Sequence, residues 1–280
     1  MTATKPRGPS ERCGVNVAEK ISASPDVATG ALLSFIWNDY REKMGKNTSV
    51  KRKKAAPAAS LLSKDEITTL FSRLKAERPE PTSELVHTDP YTLLVAVVLS
   101  AQATDAGVNK ATKELFRVAP TPDKMVALGE EAVREHIKTI GLYRNKAKNV
   151  VALSQQLIDE YQGEVPPSRE ALEKLPGVGR KTANVVMNVA FGEKTIAVDT
   201  HIFRVSNRTG LAPGKDPLAV ELMLEKVVPD DFKLHAHHWL ILHGRYVCVA
   251  RKPKCPDCVI ADLCRYGAKT EPAGLVLDKG

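Results

Sequence analysis

The chain has 280 residues, 43% of them hydrophobic and 5% aromatic, and its formal net charge is +8. This material suffices for one large apolar core or two modest ones, and the basic balance favours a polyanionic partner without proving one. The longest apolar run, near 91–101, reaches only about half of the ~20 residues that span a bilayer, so we expect no membrane protein. The N-terminus shows no signal-peptide pattern, which predicts a cytoplasmic protein in a reducing compartment.

The first 60 residues differ from the rest of the chain because they are polar and lack a sustained hydrophobic period. We predict a disordered, basic N-terminal extension over 1–60. Its basic run, 51–54, is either a solvated charge block, an auxiliary DNA-contacting arm or a localisation signal. Acidic residues at Glu11, Glu19 and Asp26 argue against a mitochondrial transit peptide.

From Ser63 onward the pattern is helical. Asp65 and Glu66 open an amphipathic segment that Pro79 closes, and Asp89 caps a very apolar helix that starts at Pro90. Further helices are predicted over 104–118, 122–129, 131–139, 144–161, 168–174, 180–191, 202–209, 217–228 and 232–244. No β-hairpin pattern competes with them, so the predicted fold class is all-α.

A glycine-rich turn joins two of these helices. Gly177 and Gly179 permit positive φ angles and leave no side chain over the backbone amides, and the helix that follows begins at Arg180. Free N–H groups and the dipole at a helix N-terminus attract anions. The helix–hairpin–helix pattern therefore predicts a backbone contact with phosphate.

Four of the five cysteines lie within seventeen residues, spaced C-x6-C-x2-C-x5-C, and they are Cys248, Cys255, Cys258 and Cys264. Disulfides conflict with the expected reducing compartment. Zinc is the stronger alternative, but its four-cysteine sites usually consist of two short pairs, whereas this segment has one. Longer loops between ligands suit an iron–sulfur cube. Cys13 stands alone and is interpreted as incidental.

The x6 loop between the first two of these cysteines carries three positive charges, Arg251, Lys252 and Lys254. A basic loop that is fixed at both ends loses less conformational entropy when it meets a phosphate. We therefore predict that the loop contacts DNA, with an ordinary solvated loop as the alternative.

Four segments in this order resemble the endonuclease III family of the helix-hairpin-helix superfamily: LLVAVVLSAQATD, LPGVGRKTANVV, VDTHIFRV and the cysteine segment. That family comprises bifunctional DNA glycosylases and abasic-site lyases, and the resemblance covers about 62–266. It implies a six-helix domain over 83–193, a second domain formed by 62–82 plus 194–270 that holds a 4Fe-4S cluster, and double-stranded DNA in the cleft between them.

The resemblance also implies the catalytic residues. Lys181 matches the family's nucleophile, which attacks the sugar; its place in the first helical turn beside Arg180 should favour the neutral amine. Asp199 matches the aspartate that stabilises the cationic sugar. From position alone, Lys181 could instead bind phosphate, and Asp199 could cap the helix that begins near Ile202.

Two further matches concern the gap that a flipped base leaves in the duplex. Gln102 is expected to face the orphaned base, and Leu142 is expected to act as an apolar wedge. The alternatives are a helix cap for Gln102 and core packing for Leu142. The histidines of the last predicted helix are interpreted as packed or polar-face residues rather than as metal ligands; they are His235, His237, His238 and His243.

We therefore expect a monomeric bacterial enzyme of the nucleoid that removes oxidised pyrimidines and cleaves the abasic site by β-elimination through a lysine Schiff base. A related adenine glycosylase would lack lysine at position 181. A non-catalytic DNA-binding module, or an iron–sulfur electron carrier, would have no use for Lys181 together with Asp199.

Overall fold

The computed structural model describes residues 61–271, and the predictions made for 1–60, including the basic run and Cys13, lie outside this range. Within it the chain forms ten α-helices and one short 3-10 turn, Cys255–Asp257, and no strand. The predicted all-α fold class is confirmed. None of these helices combines the length and the apolar character needed to cross a membrane.

The helices are α1 (Lys64–Glu77), α2 (Pro90–Leu99), α3 (Asp105–Val118), α4 (Pro122–Ile137), α5 (Tyr143–Tyr161), α6 (Arg169–Leu172), α7 (Arg180–Phe191), α8 (Thr200–Thr209), α9 (Pro217–Val227) and α10 (Asp230–Tyr246). Most begin at a side-chain cap, such as Ser63 before α1 or Asp89 before α2. The two helices predicted on either side of Gly129 form the single element α4, which is interrupted where Gly129 adopts φ 80° and ψ 161°.

Two apolar cores hold these helices. The first lies among α2 to α7, and α2 is buried along nearly its whole length, which explains its continuous apolar sequence. The second core joins α1 to α8, α9 and α10, although α1 is far from these three helices in sequence. In this core Phe71 is stacked on Phe232, with 5.7 Å between the ring centroids. The proposed domains, 83–193 and 62–82 plus 194–270, remain a prediction.

Candidate active site and iron–sulfur centre

The turn between α6 and α7 depends on Gly177. Its φ is 78°, and a Cβ at this position would lie 2.8 Å from the Asn149 side-chain nitrogen, so a larger residue is excluded by both strain and space. Gly179 is the N-cap of α7 and has open space where a Cβ would lie. The first amides of α7 are thus uncovered by any capping side chain, as an anion site requires.

The Arg180 side chain points toward α9 and not toward the side-chain amine of Lys181. Its Nε donates to Glu221 Oε1 at 2.8 Å, and the Glu221 side chain is almost completely buried. The half-buried guanidinium therefore holds the start of α7 against α9. Contact between Arg180 and DNA remains a prediction.

Lys181 and Asp199 line one cavity of about 240 Å³, which we call the lysine pocket. Five stretches of chain form its wall: the segment before α2, the turn between α2 and α3, α7, the start of α8, and one face of α10. The lining residues used below are Glu84, Gln102, Asp105, His201, His237, His238 and Arg245.

Burial is the main influence on the Lys181 amine, and it lowers the pKa of that amine below the usual lysine value. The negative charges of Asp199 and Asp105 act in the opposite direction and raise the pKa, while Arg245 lowers it. The sequence interpretation ascribed the shift to Arg180 and the helix terminus. In the structure, desolvation comes first and the neighbouring cation is Arg245, because Arg180 is engaged by Glu221.

Asp199 caps α8 and also faces the pocket. Its Oδ1 accepts hydrogen bonds from the backbone N–H groups of His201 and Ile202, both at 2.8 Å. The helix begins at Thr200, two residues before the predicted start. The capping interpretation is thus confirmed. The two capping hydrogen bonds hold the carboxylate in place in the pocket that it shares with the Lys181 amine, so capping is compatible with a catalytic role.

One side of the pocket is closed by an ion-pair network that could not be predicted from the sequence. Arg245 Nη1 donates to carboxylate oxygens of both Asp105 and Glu84, and the Tyr246 hydroxyl donates to the other Glu84 oxygen. The network joins the segment before α2, the start of α3 and the end of α10. Only Asp105 lay in a motif singled out from the sequence.

Two of the α10 histidines also line the lysine pocket. His237 donates from Nδ1 to the Ala197 carbonyl oxygen at 3.0 Å, if its Nδ1 carries the proton as this geometry requires. Burial lowers the pKa of His238 to about 4 and holds the pKa of His237 well below its usual value, so both rings are neutral. They are packed side chains, as expected, but their contribution to the pocket was missed.

Gln102 and Leu142 lie on two neighbouring turns and share an uncommon backbone conformation, with φ angles of 54° and 58°. Leu142 is 55% exposed, which rules out core packing, and Gln102 is no cap because Thr104 caps α3. A Cβ on Gly141 would be 3.7 Å from the Gln102 carbonyl oxygen, so the turns are adjacent. Both side chains are presented at the surface.

The four clustered cysteines line a second cavity, which we call the cysteine cavity, and none forms a disulfide. Within 61–271 no three or more His, Cys, Asp or Glu side chains converge on a single ion position. A zinc ion needs four ligands about 2.3 Å from one point, whereas cysteines bind separate corners of an iron–sulfur cube. Four thiols that line one cavity are the donor set that an iron–sulfur cube requires.

The charge balance of the cysteine cavity also fits an iron cluster. Burial raises the pKa of Cys258 to about 11 and also raises the pKa of Cys264, and each nearby cysteine raises it further. Thiolates so close together and so poorly hydrated need a cationic centre to neutralise them. Four iron ions bonded to these sulfurs would supply that charge.

The basic loop leaves the cysteine cavity toward solvent, and Arg251, Lys252 and Lys254 are exposed. Arg208 of α8 supports the loop from inside: its Nη1 donates to Val249 O at 2.8 Å and its Nη2 to Ala250 O at 2.9 Å. This backbone support fits the predicted fixed loop, and DNA contact by the three cations remains a prediction.

Comparisons with known proteins decide the family. Residues 95–230 match the profile of the HhH-GPD superfamily base excision DNA repair protein, and 248–264 match the iron-sulfur binding domain of endonuclease III. Endonuclease III of Haemophilus influenzae is 59% identical over 202 residues, which are 72% of this chain and 96% of that protein. Endonuclease III of Escherichia coli K12 gives the same identity and coverage. The chain belongs to the endonuclease III family.

Solved structures agree with this assignment. A trapped endonuclease III–DNA covalent intermediate is 50% identical with a TM-score of 0.70, and the match covers 73% of this chain and 97% of that one. A thermostable thymine-DNA glycosylase is 30% identical with a TM-score of 0.63, over 72% of this chain and 95% of that one.

As a member of this family, the protein is a DNA N-glycosylase and abasic-site lyase of base excision repair, and the predicted enzyme class is confirmed. Its cofactor is the 4Fe-4S cluster of the family, bound by the segment that includes the four cysteines. The zinc, disulfide, electron-carrier and non-catalytic interpretations are thereby rejected.

Proposed function

We propose that this enzyme excises oxidised pyrimidines from double-stranded DNA and cleaves the resulting abasic site by β-elimination through a Schiff base on Lys181. The observation that carries the proposal is the shared pocket, in which a desolvated lysine amine and a fixed carboxylate, Asp199, line one cavity. The family's covalent DNA complex supports the same chemistry, because a trapped intermediate requires a nucleophile.

In the first step the neutral Lys181 amine attacks the sugar C1′. A bond forms between Nζ and C1′ while the bond between C1′ and the base nitrogen breaks, and the departing base takes up a proton to balance the one that the attacking amine loses. Positive charge develops on the sugar during this exchange, and the Asp199 carboxylate stabilises it. Burial favours the step because it enlarges the fraction of Lys181 that is deprotonated.

In the second step the amine remains attached. The ring opens to a Schiff base between Nζ and C1′, a proton leaves C2′, and the bond between C3′ and the phosphate oxygen breaks. The electron pair released at C2′ forms the C2′–C3′ double bond, so no oxidant or reductant is needed. Water then releases the sugar and returns Lys181 to its amine form.

The remaining predicted residues hold the duplex. The uncovered amides beside Gly177 and Gly179 are placed to bind a phosphate, as are Arg180 and the exposed basic loop. Gln102 and Leu142 enter the gap left by the flipped nucleotide, whose unstacking costs on the order of a few kcal/mol. Both are exposed on adjacent turns, as this role demands.

The cluster has a structural role in this proposal. Cys248, Cys255, Cys258 and Cys264 hold it, and the bonds it supplies stabilise the fold of the loops around the cysteine cavity. Arg208 and the cluster together fix the backbone of the basic loop. We further propose that the enzyme acts as a monomer in the bacterial cytoplasm, on nucleoid DNA.

A borohydride trapping assay tests this function. Wild-type protein is incubated with a duplex that contains one thymine glycol, and borohydride is added to reduce any Schiff base to a stable amine. We expect a covalent protein–DNA complex from the wild type and none from Lys181→Gln. Lys194→Gln is the matched control, because Lys194 is paired with Asp230 away from the lysine pocket.

Three results would contradict the proposal or part of it. If wild-type protein excises the base but is never trapped, the amine mechanism is wrong. If Lys181→Gln is trapped as well as the wild type, another lysine is the nucleophile. If only an undamaged or purine-damaged duplex is processed, the proposed substrate class is wrong while the mechanism can stand.

A further inference from the structure

The buried histidine His243, near the end of α10, has no part in the mechanism above. It is 5% exposed and lines the cysteine cavity, and its Nε2 lies 3.6 Å from the sulfur of Cys258. The helix thus lines the lysine pocket through His237 and Arg245 and the cysteine cavity through His243. No step of the proposed repair reaction requires a histidine in the cysteine cavity.

The surroundings of the His243 ring determine which nitrogen carries the proton. Among residues 61–271, its buried Nδ1 has no hydrogen-bond partner. A proton on Nδ1 would bury an unpaired donor and would also turn the Nε2 lone pair toward the lone pairs of the sulfur. A proton on Nε2 gives the donor an acceptor, so the Nε2–H tautomer is favoured.

Cys258 can only accept in this pair once it binds iron. An iron-bound cysteine is a thiolate and has no proton to donate, so the contact becomes an N–H···S hydrogen bond. Each hydrogen bond to a cluster sulfur stabilises negative charge on the cluster, and therefore its more reduced state. Since the site is buried, water screens this effect little.

We propose that His243 donates this hydrogen bond to the Cys258 sulfur and thereby raises the reduction potential of the cluster. The cluster is then harder to oxidise and lose. Two other donors approach ligand sulfurs: Arg208 Nη1, 3.6 Å from Cys248, and the backbone N–H of Tyr266, 3.5 Å from Cys264. Arg208 also holds two loop carbonyls, so a change there would disturb the loop, whereas His243 can be tested alone.

The test measures the reduction potential of DNA-free holoprotein by film voltammetry for three variants. His243→Leu removes the donor with little loss of volume, and we expect its potential to shift to more negative values and its absorbance to bleach faster under ferricyanide. His243→Gln places an amide N–H where Nε2 lies and should restore much of the shift. His238→Leu removes another buried α10 histidine that does not line the cysteine cavity and should leave the potential unchanged.

An unchanged potential in His243→Leu, or an equal shift in His238→Leu, would overturn the proposal. If the leucine variant fails to retain iron, pulsed EPR on wild-type protein labelled with 15N-histidine decides the question. The paramagnetic form of the cluster should then show coupling to a histidine nitrogen. Absence of this coupling would show that His243 only fills space.

Discussion

The lysine pocket and the cysteine cavity are assembled in opposite ways. The lysine pocket draws its wall from five stretches between Thr82 and Arg245, and its polar groups are oriented by partners distant in sequence. The cysteine cavity takes all four cysteines, the proposed cluster ligands, from seventeen consecutive residues. The first site therefore depends on how the whole fold packs, whereas the second is specified locally and completed by a metal cluster.

This difference predicts different consequences of mutation. A residue of the cysteine cavity contributes folding energy through the cluster, so its loss should affect the whole molecule. In the proposed mechanism a charged residue of the lysine pocket acts at the reacting atoms, and its loss should affect chemistry while the fold persists. The two sites share α8 and α10, and buried residues of α10 line both cavities.

The largest effect is expected from Cys258→Ser, which removes one cluster ligand. Because metal binding is coupled to folding in such sites, we expect loss of iron, of the broad visible absorbance and of most soluble protein. Iron analysis and circular dichroism measure these effects, and Cys13→Ser serves as the control. A soluble, iron-loaded Cys258→Ser protein would remove the proposed contrast between the sites.

Asp199→Asn should preserve the fold and impair base removal. Asparagine still caps α8, but the negative charge is lost, so excision should fall by about 10²–10³-fold. Cleavage of a preformed abasic site should suffer less, because no base departs. Single-turnover rates on both substrates measure the split.

Asp216→Asn is the control for that experiment, since Asp216 caps α9 in the same way but does not line the lysine pocket. Equal losses of both reaction steps in Asp199→Asn, or an equal defect in Asp216→Asn, would mean that Asp199 serves mainly as a cap.

Asp105→Asn sharpens the electrostatic side of the comparison. Asp105 raises the pKa of Lys181 and also neutralises Arg245, which lowers it. Removing the carboxylate therefore lowers the pKa of Lys181 further, and the neutral amine persists to lower pH. The trapping rate on abasic DNA is measured as a function of pH, and the acidic limb of this profile should move to lower pH.

The matched control is Glu114→Gln, which breaks an exposed ion pair with Arg117 on the same helix, α3. Its pH profile should coincide with that of the wild type. A shift of the Asp105→Asn profile to higher pH would show that the network acts on Lys181 through geometry rather than through charge.

The smallest effect is expected from Arg251, Lys252 and Lys254, changed together to Gln. The affinity for undamaged duplex should depend less on salt. The slope of its logarithm against the logarithm of salt concentration should become shallower by about 0.9 for each phosphate contact removed. The cluster should remain bound. Changing Lys64, Lys75 and Lys226 to Gln removes the same charge elsewhere and should leave the slope nearly intact; equal effects would indicate a solvated loop.

The features that could be predicted from the sequence are the locally specified ones, and the contacts between distant residues were missed. The helices, the glycine turn and the cysteine spacing depend on near neighbours, and the pattern of residues predicted them. The ion pair between Arg180 and Glu221 spans 41 positions, and Arg245 meets Glu84 across 161. No local period encodes such pairs, so the cause of the Lys181 pKa shift was assigned to the wrong arginine.

The buried α10 histidines show a second reason for missed contacts. In α10 nine residues are buried, so hydrophobic periodicity could not indicate which residues face a cavity and which face a core. His237, His238 and His243 were correctly interpreted as packed. That they line two different cavities became clear only from the neighbours on α7, α8 and the cysteine segment.

The left-handed backbone at Gln102 and Leu142 has a consequence for the search along DNA. Holding each non-glycine residue in such a conformation costs about 1–3 kcal/mol, and the fold bears this cost before any duplex arrives. In the proposed function, where Gln102 and Leu142 enter the duplex, the side chains that would probe each base pair are therefore already in place. This conformational cost lowers the stability of the folded protein, as is common where a functional site needs a strained conformation.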